Sequence, residues 1–280
     1  MTEWVLDRSY RFRSQAVRYA VIGEGPPVVL VHGTPFSSYI WHRVAPHLAE
    51  HHQVFVYDLL GYGQSDKRND QDVSLGVQNE LLVGLLEHWA LERPDIIGHD
   101  FGGTTTLRAH LLNNRNFHRM MLIDPVVLSP WGSGFDRCVH GHDDAFGAIP
   151  SSIHQSLLDA YIRGALSRNL PAQELAPYLE PWLGEHGQPA FYRQIAQFDQ
   201  RYTDEIEQRY NEVRCPTLIL WGQDDAWLPI EHGRRLHESI PSSSFRPVPG
   251  SGHLMQEDAP EAIIAAAIGF LAAGSTPTRS

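Results

Sequence analysis

The chain has 280 residues, 42% of them hydrophobic and 20% charged, which is enough for one large core plus an inserted subdomain and too apolar for extensive disorder. A formal net charge of −11 argues against a nucleic-acid partner, since phosphate binding needs a basic face. Cys138 and Cys215 are the only cysteines and show no metal-type spacing, so neither a disulfide framework nor a zinc knuckle is expected.

The opening segment MTEWVLDRSYRFR has no apolar stretch of the signal-peptide kind. No segment approaches the ~18–20 apolar residues of a membrane span. A cytoplasmic protein without membrane partners is the expectation.

Val17 to Ile22 alternates and reads as an outer strand. Pro27 to Val31 is continuously apolar, as a strand buried on both faces should be, and so are Val54 to Tyr57, Ile96-Ile97, Met121 to Ile123 and Thr217 to Trp221. Helical patterns fall between them at 39–49, 75–91 and 102–113, and two more come later at 230–238 and 259–272. This alternation predicts an α/β protein with a mostly parallel, doubly covered sheet.

From Leu128 to Arg214 the rhythm breaks into amphipathic helices, with Ile153, Leu157, Tyr161 and Ala165 as one stripe and Phe191, Ile195, Phe198 and Tyr202 as another. The expected organisation is therefore a core over 1–128 and 215–273, interrupted by a helical cap over 129–214. A frayed tail over 274–280 completes it. Such an insert commonly covers the carboxyl ends of the strands, where ligands bind.

Ile96-Ile97-Gly98-His99-Asp100-Phe101-Gly102-Gly103 runs from a strand through a tight turn into a helix. This is the setting of a nucleophile elbow, with Asp100 where G-x-S-x-G places its serine. The competing reading of Asp100 is a plain helix N-cap. Three further segments shift the balance. Val31-His32-Gly33-Thr34-Pro35 follows a core strand and offers the Thr34 N–H, with that of Phe101, as an oxyanion hole. Trp221-Gly222-Gln223-Asp224-Asp225 sets a carboxylate at another strand end, and Gly250-Ser251-Gly252-His253 carries a loop histidine before the last helix. Nucleophile, acid, histidine is the order of the α/β-hydrolase triad. Asp124, after a further core strand, competes with Asp225 as the acid.

On these residues, together with Asp58 to Asp66 (DLLGYGQSD), the chain resembles the α/β-hydrolase superfamily over nearly its full length. With Asp100 at the elbow it looks like the aspartate-nucleophile branch of haloalkane dehalogenases, fluoroacetate-type dehalogenases and soluble epoxide hydrolases. The resemblance implies an α/β-hydrolase fold with a cap, no cofactor and no metal. It also implies a small hydrophobic substrate plus water, and a monomer or homodimer.

The branch is divided by departures from each pattern. Phe101 stands where haloalkane dehalogenases usually have a halide-binding tryptophan. Phe101 and Thr104 stand where fluoroacetate-type enzymes have arginines. Epoxide hydrolases use two cap tyrosines: Tyr192 in Phe191-Tyr192-Arg193-Gln194 resembles one, and Tyr161 is a candidate for the other. His99 is a further candidate contact, and Trp131 and Trp182 are candidate halide donors. His140-Gly141-His142-Asp143-Asp144 lacks a helical metal register, so no metal is expected.

The implied chemistry has Asp100 attack an sp³ carbon to form an ester. His253, oriented by Asp225, then activates the water that hydrolyses it. Epoxide opening leads, with dehalogenation as the alternative. A cofactor-free lyase or decarboxylase, or a ligand receptor on the same fold, are readings from other classes.

Overall fold

A computed structural model describes residues 4–272. An antiparallel pair opens it, β1 Arg8–Phe12 and β2 Gln15–Ile22. Then come β3 Pro27–Val31, α1 Ala45–Leu48, β4 Gln53–Tyr57, α2 Leu75–His88, β5 Asp95–His99, α3 Phe101–Asn113 and β6 Met120–Ile123. Six helices precede the next strand: α4 Gly134–Val139, α5 Asp143–Gly147, α6 Ser151–Arg163, α7 Ala172–Leu179, α8 Gly184–Ala196 and α9 Arg201–Glu207. The chain closes with β7 Thr217–Gly222, α10 Ile230–Ser239, β8 Ser243–Val248, α11 Met255–Asp258 and α12 Pro260–Ala272.

The strands form one sheet in the order β1-β2-β4-β3-β5-β6-β7-β8. Pairing is antiparallel at β1, β2 and β4 and parallel from there on. β5, β6 and β7 are buried at every residue, which is why they read as unbroken apolar runs. Val31 pairs with Gly98 and His99 with Ile123. The carboxyl ends of β3, β5 and β6 are therefore level, and the turns leaving these strands emerge at one edge.

Three expectations need correction. The strand over 17–22 is not outermost, because β1 covers its edge. The helix over 39–49 is two short pieces, a 3₁₀ turn Ser38–Trp41 and α1. Pro46 sits in the first turn of α1, where its missing N–H is harmless, but it cannot continue a helix from residue 39. In α6 the buried face is His154, Leu158 and Ile162, while Ile153 is 56% exposed. Residue 273 and the tail 274–280 lie outside the described residues. Among the described residues no helix is long and apolar enough to cross a membrane.

Candidate active site

Asp100 sits between β5 and α3 at φ 53° and ψ −122°, a backbone conformation that a residue with a Cβ holds only when its surroundings impose it. Two glycines make the turn possible by close approach. A Cβ on Gly102 would stand 2.2 Å from the Val31 carbonyl oxygen, and one on Gly33 would stand 2.2 Å from Asp100 Oδ1.

With Gly33 bare, the Thr34 N–H donates to Asp100 Oδ1 at 2.7 Å. The Phe101 N–H heads α3, where first-turn amides lack helical partners. His32 ties the Gly33 loop to the end of β4. Its Nε2 accepts the Leu59 N–H at 2.9 Å, and its Nδ1 lies 2.9 Å from the Gly33 carbonyl.

His253 Nε2 lies 3.4 Å from Asp100 Oδ2, and its Nδ1 lies 2.8 Å from Asp225 Oδ2. The other Asp225 oxygen accepts the Trp227 and Leu228 N–H groups at 2.8 and 2.9 Å, which fixes the carboxylate before it meets the imidazole. The His253 loop is pinned from behind, because Asp258 accepts the Gly252 and Ser167 N–H groups, each at 2.8 Å. Burial alone would lower the imidazole. The Asp225 and Asp100 carboxylates outweigh it and hold His253 well above the ordinary histidine range.

Asp124 accepts the Gly222 N–H at 2.7 Å through Oδ1, while its buried Oδ2 has no partner. Burial, reinforced by Asp225, raises its carboxyl well above the usual range. No hydrogen bond or ion pair to His253 makes it the imidazole's partner; that place is taken by Asp225.

The sequence-predicted contacts divide. Thr34, Asp100, Phe101, Trp131, Tyr161 and His253 line one cavity of about 310 Å³. Tyr192 does not line it: its hydroxyl is 2.9 Å from His154 Nδ1, inside the packing of α6 and α8. His99 is fully buried beneath the site, with Nε2 2.9 Å from the His253 carbonyl. Burial, with His253 adding to it, lowers His99 well below the histidine range. It is therefore a neutral prop for the His253 backbone and makes no cavity contact. Trp182 donates its indole N–H to the Pro35 carbonyl at 2.6 Å, and Trp131 donates its own to Thr203 Oγ1 at 3.0 Å. Neither indole N–H is presented to a ligand.

Tyr161 donates its hydroxyl to Asp136 Oδ1 at 3.1 Å, and Asp136 also lines the cavity. Burial and the Asp136 carboxylate hold the phenol well above its ordinary pKa, so it stays protonated. Sequence reasoning missed Asp136, Phe198 and Trp227, all on the cavity wall. Trp227 was within reach, two residues beyond Asp225, and its ring stands 4.9 Å from that of His253. Asp136 showed only the Ser133-x-x-Asp136 signature of a capping box, which α4 does form. Among the described residues no three His, Cys, Asp or Glu side chains gather to hold a metal ion.

Residues 26–260 match a family model described as alpha/beta hydrolase fold. A 2-hydroxy-6-oxo-2,4-heptadienoate hydrolase of Pseudomonas putida is 30% identical over 263 residues, covering 90% of this chain and 91% of its own. A solved alpha/beta hydrolase fold protein from Burkholderia ambifaria is 48% identical with a TM-score of 0.93, covering 95% of this chain and 98% of that one. An epoxide hydrolase structure shares the fold at 21% identity and a TM-score of 0.76, with 95% and 98% covered.

Proposed function

Because the chain belongs to the alpha/beta hydrolase fold family, we propose that it is a hydrolase whose Asp100 carboxylate forms a covalent ester with an epoxide carbon. The observation that carries this reading is the carboxylate itself. It stands at the elbow with Oδ1 held by the Thr34 N–H, Oδ2 facing His253, and the cavity in front. Helices α4 to α9 act in this reading as the cap over the site.

Oδ2, the oxygen that Thr34 leaves free, attacks the sp³ carbon. The C–O bond of the ring breaks, and its oxygen takes the Tyr161 proton. Esterification removes the Asp100 charge that helps hold a proton on His253; the imidazole releases that proton to solvent and, now neutral, draws one from a water that adds to Asp100 Cγ, while the Thr34 and Phe101 N–H groups hold the oxyanion. Cleavage of the Cγ–O bond sends that proton from His253 to the departing diol oxygen. The proton left on Asp100 as carboxylic acid returns to the Tyr161 phenolate through solvent. Reactants and products balance as epoxide plus water to diol.

The choice of epoxide over halide rests on the donors. The Phe101 side chain has no N–H to offer a departing halide, and of the indoles near the site those of Trp131 and Trp182 are committed elsewhere. Tyr161 is the cap tyrosine whose side chain reaches the cavity beside Asp100. The Pseudomonas relative is named for a carboxylate substrate. Among the described residues no Lys or Arg lines the cavity.

The test is one turnover in ¹⁸O-labelled water with enzyme in excess over a terminal epoxide. Label should enter Asp100 and be absent from the diol. Label found directly in the product would overturn the ester, and halide release from a haloalkane without epoxide turnover would move the reading to dehalogenation.

A further inference from the structure

Asp136 has a fractional exposure of 8%. Its carboxylate accepts the Ser133 N–H as the α4 capping box and the Tyr161 hydroxyl from α6. Among the described residues it has no Lys, Arg or His within ion-pairing distance. Asp100 and Asp225, by contrast, share His253 between them. A carboxylate largely withdrawn from water and without a counter-charge is costly, and a cation is what it lacks.

The surfaces around it point the same way. Phe101, Trp131 and Phe198 form a three-ring cluster with centroids 5.0 to 5.6 Å apart. On the far side Trp227 stands 5.0 Å from Tyr161. Aromatic faces carry the negative end of the ring quadrupole and attract cations. With its proton committed to Asp136, the Tyr161 oxygen offers only lone pairs to an arriving group. Arg137 and His140 line a smaller adjoining cavity of about 140 Å³ that shares Trp131, Asp136 and Phe198. Arg137 is itself turned to the Gly132 carbonyl at 3.3 Å.

We propose that the cavity is built for a substrate carrying an ammonium group, seated against Asp136 and enclosed by the faces of Phe101, Trp131 and Phe198. The proposal rests on the reading that this cavity holds the substrate of Asp100, and it names the charge of that substrate. It also joins recognition to chemistry. An ammonium group that takes the Asp136 carboxylate releases the Tyr161 O–H toward an oxygen leaving the adjacent carbon chain. In an epoxide with an aminomethyl substituent, the oxygen and the nitrogen lie close enough together to meet Tyr161 and Asp136 at once.

The experiment is equilibrium binding by calorimetry, with choline and its uncharged isostere dimethylbutanol as probes. The native enzyme should bind choline on the order of tenfold more tightly than the alcohol. Asp136→Asn should abolish that preference while leaving the alcohol's affinity within about twofold. Since Asp136→Asn also touches the α4 cap, Phe198→Leu serves as a second variant and should reduce the preference without disturbing it. Equal or tighter binding of the alcohol by the native enzyme, or a preference that survives both variants, overturns the proposal. Neither probe reacts, so the outcome is independent of the labelling experiment. A choline preference with unlabelled Asp100 removes only the ester reading, and a labelled Asp100 without the preference removes only this one.

Discussion

Two carboxylates stand at the ends of neighbouring strands beside His253, and replacing each by asparagine should give opposite results. Asp225 takes three donors: His253 Nδ1–H, Trp227 N–H and Leu228 N–H. In Asp225→Asn the amide oxygen keeps the two backbone donors, and the amide nitrogen is left facing Nδ1. The imidazole must then carry its proton on Nε2, toward Asp100, where it cannot act as a base. Loss of a positioned base costs about 10²–10⁴ in rate, which is about 3–5.5 kcal/mol of barrier. Burial raises the Asp124 carboxyl and so favours its neutral form, and Asp124→Asn replaces that form by an uncharged group of the same shape that keeps the acceptor for Gly222 N–H. Its kcat should stay within about threefold of the native value, because no catalytic group changes charge.

Stability supplies an independent sign for Asp124. Its folded pKa is raised, so its contribution is fully present below the unfolded value of about 3.9 and is lost as pH rises toward the folded value. Asp124→Asn escapes that loss, and its melting temperature should exceed the native one by a margin that widens with pH. Steady-state kinetics on an epoxide that the native enzyme turns over, with thermal melts at acidic and alkaline pH, measure both effects. A rate loss in Asp124→Asn equal to that in Asp225→Asn, or a lower melting temperature at alkaline pH, would refute the assignment.

His253→Gln should alkylate but hydrolyse the ester about 10²–10⁴ times more slowly, so intact-mass spectrometry finds a stoichiometric adduct on the peptide containing Asp100. Tyr161→Phe should lower kcat for epoxides about tenfold or more with KM little changed, since it removes a donor used as the ring opens. Gly33→Ala should cost about a hundredfold in kcat while circular dichroism stays native, because its Cβ would stand 2.2 Å from Asp100 Oδ1 and displace the nucleophile. Where ester hydrolysis limits kcat, activity should rise with pH through a His253 pKa lower than that of the resting enzyme, because esterification removes the Asp100 charge that helps raise it. An NMR titration of resting His253 that falls at or below the kinetic limb would contradict this arrangement.

The legible and the illegible parts of the sequence divide along one physical line. Thr34, Asp100 and Asp225 sit just past buried strands, and the turns that expose them are written in adjacent residues: Gly33, Gly98, Gly102 and Gly222. Their placement is a property of short backbone segments and survives any ignorance of tertiary detail. The missed strands β1 and β8 are the two edges of the sheet, only half covered and polar in part, so they lack the unbroken apolar run that marked the centre.

The inserted helices are different in kind. Tyr161 and Tyr192 both lie on amphipathic helices, and which hydroxyl meets the cavity depends on the rotation of each helix. Successive residues on a helix are about 100° apart, so α6 burying His154 where Ile153 was expected turns the whole face by one position. Asp136 is the limiting case. Its local signature is a surface cap, and it becomes a cavity wall only because Tyr161 and Phe198 arrive from two later parts of the chain. A catalytic group carried by a strand end can be read from its neighbours in sequence. A specificity group made by inserted helices meeting one another can be read only from the fold, and for that reason the electrophile and its charge rest on Tyr161 and Asp136 together.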